Sequence, residues 1–190
     1  MVEHLFQCVC HQLPDRSPCI NADVFPLCYR CAGIHLGLFV MMSNLIISRG
    51  WQRKFPTPSV AILLALMLLP IWIDGWANGL GLWNTPDFLR YLTGLSVGLS
   101  LPLLVVPLCR PPTKAPVSLT ISSLRYSMDL VGSFFIGLVF LLLLTQPYGV
   151  VLWDSMAYLA GLGTLSLAAL AALVFCTAWK TWKNDPLEHD

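Results

Sequence analysis

The sequence predicts an all-α fold: a polytopic membrane helix bundle of about five transmembrane helices. It is expected to sit N-out and C-in, with a Cys/His-rich N-terminal segment on the extracytoplasmic face. Three observations carry this. Of the 190 residues, 56% are hydrophobic and 11% charged, with a mean hydropathy of +0.70. A soluble domain carries about 25% charged residues, so the bilayer must solvate most of this chain. Several apolar runs approach the roughly 20 residues a helix needs to cross about 30 Å of hydrocarbon. The runs are also continuously apolar rather than alternating, which favours helices that satisfy their own backbone bonds over a barrel. A net charge of +1 gives no basis for a nucleic-acid partner. The expected partner is the lipid bilayer, and the expected location is the cell membrane.

Taken in order, spans are expected over residues 33–48, 57–73, 89–109, 127–145 and 152–179. The first is short unless its helix begins back at Cys28. The organisation that follows is a Cys/His-rich segment 1–32, a three-span core 33–109, a cytoplasmic loop 110–127, two further spans 128–179 and a cytoplasmic tail 180–190. No charged region followed by an apolar run opens the chain, so no cleavable signal peptide is expected. Pro102 and Pro107 should kink or end the third span. Asp129 and Asp154 read as helix caps in the first turns of spans four and five. Gly33-x3-Gly37 and Gly94-x3-Gly98 read as close helix contacts.

Orientation rests on Lys and Arg, which accumulate on the cytoplasmic side. Arg49, Arg53 and Lys54 follow span one, and Arg110, Lys114 and Arg125 separate spans three and four. With Lys180 and Lys183 after span five, eight of the 11 basic residues fall on that side. Arg16, Arg30 and Arg90 fall on the other.

That other face also receives five of the seven cysteines, all between Phe6 and Gly37. If a helix starts near Cys28, then Cys28, Cys31 and His35 share one face. Upstream, Cys10 and His11 sit in a Cys8-x-Cys10-His11 run that can fold back onto it. Thiolate and imidazole are the ligands tetrahedral zinc prefers, so the expected metal set is Cys10, His11, Cys28 and Cys31, with zinc as the cofactor. Disulfides in an oxidising compartment and simple buried thiols are the competing readings. His35 alone reads first as a packed polar residue. Cys8 and Cys19 stay outside the set.

Two stretches then carry a resemblance. "CHQLPDRS" followed by "PLCYRCAGIHLG" is similar to a Cys-His-Gln…Arg-Ser and Cys-x-Arg-Cys-x-Gly-Ile pattern. "LPIWIDGWANGLGLWNTPDFLRYLTGLSVG" resembles a second block of Ile-Asp-Gly, then Asn, then Leu-Arg-x-x-Thr-Gly. Both belong to the DUF2085 family of bacterial and archaeal membrane proteins, and in order they cover roughly residues 8–98. The resemblance falls on Cys10, His11, Gln12, Arg16, Ser17, Cys28, Arg30, Cys31, Gly33, Asp74, Gly75, Asn84, Arg90 and Gly94. This chain departs from it at His35, where the family often has Tyr, and in lacking a Gln soon after Asp-Gly. The resemblance implies a multi-pass architecture and a residue pattern, and no reaction.

Asp74 closes the second expected span, and a carboxylate at that depth must be solvated or paired. The simple reading is an ion pair with Arg90 across the next loop, with Arg16, Arg30 or a metal-linked group as other partners. In the functional reading Asp74 supports the cluster, while Arg90 and Arg16 hold an anionic group, which makes Asp74, Arg90 and Arg16 the candidate catalytic residues. Three functions follow. One is a zinc site at the extracytoplasmic surface, structural or metalloenzyme-like. Another is a thiol–disulfide oxidoreductase using Cys28-x-x-Cys31, with a quinone as electron partner. The third is an accessory subunit among other membrane subunits.

Overall fold

A computed structural model describes residues 6, 9–11, 14–20, 23–48, 56–109, 119–145 and 150–184. Six helices dominate: α1 Tyr29–Ile47, α2 Pro58–Leu66, α3 Leu69–Gly79, α4 Asp87–Leu108, α5 Leu119–Thr145 and α6 Val150–Asn184. Because α2 and α3 are halves of one span, five helical spans are long and apolar enough to cross a membrane. That agrees with the expected number. Before α1 lie a short 3-10 turn, Pro14–Arg16, and an antiparallel ladder that pairs Cys19 with Val24 and Ile20 with Asp23.

Span two differs most from expectation. Near the start of α3, Pro70 has no N–H to give to Leu66, and the helix breaks at Met67 and Leu68. Ser96 of α4 donates its hydroxyl to the Met67 carbonyl at 3.0 Å, so this backbone oxygen keeps a partner in an apolar layer. The helix then runs past residue 73 to Gly79. It ends in a Schellman turn: Gly81 adopts φ 68, its N–H reaches the Asn78 carbonyl at 3.2 Å, and the Leu82 N–H reaches Ala77 at 2.9 Å. Asp74 is therefore one turn inside a helix and buried, not at a span's end.

Two further expectations change. α5 begins at Leu119 and α6 at Val150, so Asp129 lies well inside its helix, and neither helix has an acidic residue in its first turn. Asp129 and Asp154 are not caps, because their helices begin ten and four residues upstream of them, at Leu119 and Val150. α4 passes through Pro102 and stops one residue beyond Pro107.

α1 and α4 form the centre, and their contact is backbone on backbone. A Cβ at Gly94 would run into the Arg30 carbonyl, and one at Gly98 into the Ile34 carbonyl. At Gly33 it would meet the Tyr91 carbonyl, and at Gly37 it would stand 3.1 Å from the Gly98 Cα. Both expected glycine pairs thus belong to a single crossing. α6 joins it where Gly163 rests on the His35 backbone, and α5 joins where the Tyr91 hydroxyl donates to the Gly137 carbonyl at 2.9 Å. Tyr91, Leu95, Leu99, Leu36 and Met41 fill the core between them.

The alternating helices bring the start of α1, the end of α3 and the starts of α4 and α6 to one end of the bundle. Arg49, Arg53, Lys54, Arg110 and Lys114 lie outside the described residues, as do the side chains of Lys180 and Lys183.

Candidate functional site

The chain reverses between Cys10 and Cys28, and local bonds show why. The two-residue ladder turns it back, and the Phe25 N–H reaches the Pro18 carbonyl at 2.8 Å. Phe6, Phe25 and Leu27 are fully buried and pin the returning segment to the bundle. Phe25 meets the edge of Trp153, at the start of α6, with ring centroids 5.6 Å apart. The Cys10 N–H reaches the Phe6 carbonyl at 2.8 Å, a single turn that aims Cys10 at the α1 terminus.

There the sulfurs of Cys10, Cys28 and Cys31 lie within 4.8 Å of one another. No disulfide joins them. Cys28 is the N-cap of α1 and makes no side-chain cap bond; its N–H instead donates to the Cys10 sulfur at 3.4 Å. The Cys31 thiol points toward the Val9 carbonyl at 3.9 Å. The Cys10 sulfur beside it, with burial adding to the effect, pushes the Cys28 thiol above its ordinary value. A bound cation would take the place of the Cys28 proton and offset this effect.

Two imidazoles flank the sulfurs. His11 follows Cys10 in the chain but is exposed and stands outside the sulfur set. His35, one turn beyond Cys31, is 4% exposed, and its Nδ1 has no hydrogen-bond partner among the described residues. Cys19 is separate: its thiol donates to the Ser17 carbonyl at 3.4 Å and, more weakly, toward Pro14 at 3.6 Å. Cys8 lies outside the described residues.

Asp74, in α3, pairs with Arg30, the residue before Cys31, rather than with the expected Arg90. Its other oxygen accepts from the Asn78 amide at 2.8 Å and from the Thr85 hydroxyl, and Asn78 also donates to Thr85 at 2.6 Å. The reason is geometric. The α1–α4 glycine crossing brings Arg30 over α3, whereas the loop 80–86 leads Arg90 away toward its own partners. Arg90 donates to Asn84 at 2.7 Å, and more weakly to Asn78 at 3.4 Å and Asp87 at 3.5 Å. Asn78 and Thr85 were not foreseen as members of this network. The available signal was that Asn78 lies four residues after Asp74, on the same helix face.

Arg90 and Arg16 do share a cleft of about 740 Å³, lined also by Asp15, Asn78, Asn84, Thr85 and Asp87. Asp74 is not in its wall and touches it only through Asn78 and Thr85. Asp74 lies behind that wall, and no cysteine of the sulfur cluster lines the cleft.

Fold and site together define a helical, multi-pass membrane protein with a thiol cluster and a polar network at one end of its central helix pair. The family described as "Predicted membrane protein (DUF2085)" matches residues 10–104, and this chain belongs to it. It is 33% identical over 104 residues to an uncharacterized protein of Methanothermobacter thermautotrophicus, covering 55% of this chain and 90% of the relative. It is 30% identical over 105 residues to an uncharacterized protein of Methanocaldococcus jannaschii, covering 55% and 65% respectively. No solved structure matches the chain.

Proposed function

We propose that Cys10, Cys28 and Cys31 bind a zinc ion at the extracytoplasmic surface of the cell membrane, in a protein oriented N-out and C-in. The single observation carrying this reading is the convergence of three sulfurs within 4.8 Å from two chain segments 18 residues apart. Thiolates about 2.3 Å from one tetrahedral ion would sit about 3.8 Å apart, inside that limit.

His11 and His35 compete for the fourth position. Buried, and without a partner at Nδ1 among the described residues, His35 is the better placed: helical side chains lean toward the N-terminus, which tilts its ring toward Cys31 and Cys28. A fourth protein ligand makes the site closed and structural; an open fourth position leaves room for bound water and metalloenzyme chemistry. Asp74 is assigned a positioning role through Arg30, which it orients beside Cys31.

Element analysis of the detergent-purified chain is expected to give one zinc per protein. Cobalt loading should produce the absorption bands of a tetrahedral thiolate site. His35→Ala is expected to change these bands while His11→Ala leaves them intact; the opposite result would return the fourth position to His11. A metal-free protein with a Cys28–Cys31 disulfide would defeat the zinc reading and favour thiol–disulfide exchange, which the C-x-x-C spacing at a helix start already suits.

A further inference from the structure

The cleft between Arg16 and Arg90 stands apart from the thiol cluster, and its inference does not depend on a metal. Arg30 has its carboxylate in Asp74. Arg90 has nothing equivalent. Its side chain is 7% exposed, yet among the described residues its only carboxylate is Asp87, at 3.5 Å on a half-exposed side chain. A short bond to the neutral Asn84 amide does not offset a buried positive charge, which requires a counter-charge in close contact. In the same cleft, Arg16 has among the described residues only the exposed carboxylate of Asp15, at 3.6 Å. Two guanidinium groups therefore face one cleft with spare donors, and the two carboxylates lie at its solvent rim, where water screens them.

We propose that this cleft binds a phosphate ester carrying hydroxyl groups. Two guanidinium groups from separate chain segments match a tetrahedral anion better than a planar carboxylate, which one guanidinium satisfies alone. At about 740 Å³ the cleft exceeds what a bare ion fills. The remaining lining suits a polyol: the Asn84 and Asn78 amides and the Thr85 hydroxyl can donate or accept, and Asp15 and Asp87 can accept from hydroxyls. Trp83 lies in the same wall and is exposed, as are Leu80 and Leu82 beside it, the placement of side chains that sit at a membrane–water interface. Such a group comes from the headgroup of a glycerophospholipid or from a soluble glycerol phosphate.

The two sources separate in one set of measurements on the full chain. Glycerol 1-phosphate and inorganic phosphate are titrated calorimetrically into detergent-solubilised protein. Phosphatidylglycerol retention is counted by native mass spectrometry after reconstitution with and without that lipid in phosphatidylcholine. Binding in either arm, weakened about tenfold or more by Arg16→Ala, is the expected result; the arm that responds identifies the source. Arg16 is half-exposed, so its loss should leave melting and metal content unchanged and the result readable even where Arg90→Lys does not fold. Absence of binding in both arms, or binding indifferent to Arg16→Ala, overturns the proposal.

Discussion

The two central helices and the three outer spans solve the same problem, stability in lipid, by different means. In α1 and α4 half of the lipid-length segment is buried inside the protein; in each of the other three spans 17% is. The outer spans present Leu, Val, Phe and Trp to the surroundings, and the lipid accepts those side chains as readily as protein does. The central pair cannot rely on apolarity, because association gains little from exchanging lipid for leucine. It relies on glycine-mediated backbone contact, one buried tyrosine hydroxyl and a charged network at the mouth. The thiol cluster and the polar network lie at one end of that pair, with Asp74 and Asn78 added from α3, and the family match over residues 10–104 covers all of them.

The sharpest way to break this contrast is to add bulk to glycines of each class. Gly94→Leu must push a side chain into the Arg30 carbonyl. A loss of about 3 kcal/mol or more, the upper part of the overpacking range, is expected, read as a collapse of thermal stability in detergent. Gly75→Leu and Gly79→Leu, with nothing within 4 Å of the added Cβ, should leave stability unchanged. Equal damage from all three would mean that the outer span is also packed against something.

Charge offers the next contrast. Asp74→Asn leaves Arg30 without its carboxylate, and because the Arg30 side chain is 26% exposed, the loss should fall to about 2–3 kcal/mol, below the range for a fully buried pair. Zinc content should be retained if Asp74 only anchors Arg30, and fall by ten- to a hundredfold in affinity, a rough estimate, if that anchoring sets the metal site. Asp154→Asn, on an exposed side chain, should change stability by less than about 0.5 kcal/mol.

The smallest contrast lies in a single hydroxyl. Tyr91→Phe removes the bond to the Gly137 carbonyl and should reduce stability by about 0.6 kcal/mol, the average for hydrogen bonds between membrane helices, and by no more than about 1.7 kcal/mol. Tyr158→Phe on the exposed face of α6 should have no measurable effect.

Much of this was legible beforehand. The number of spans followed from length and apolarity alone, since each run is judged by itself against one bilayer thickness. The glycine spacings were legible as contact surfaces, although nothing in either pair named the other as its partner. Helix ends were less legible: the second span looked finished at Asp74 because apolar residues thin out there, and only the turn at Gly81 closes it. The sulfur cluster was half-legible. Cys28 and Cys31 follow from helical periodicity, whereas Cys10 joins them through a ladder too short to have a pattern, and the exposed place of His11 depends on that fold-back.

What the sequence by itself determined is the class of protein, the count of spans and the residue types available at one end, because each follows from local composition and from periods of a few residues. Which groups meet was decided only in the tertiary structure. Arg30 lies 44 residues from Asp74 and Arg90 only 16, yet the carboxylate pairs with Arg30. Sequence distance favoured the nearer arginine, but backbone contact at the glycine crossing carries Arg30 over α3, while the loop 80–86 draws Arg90 to Asn84.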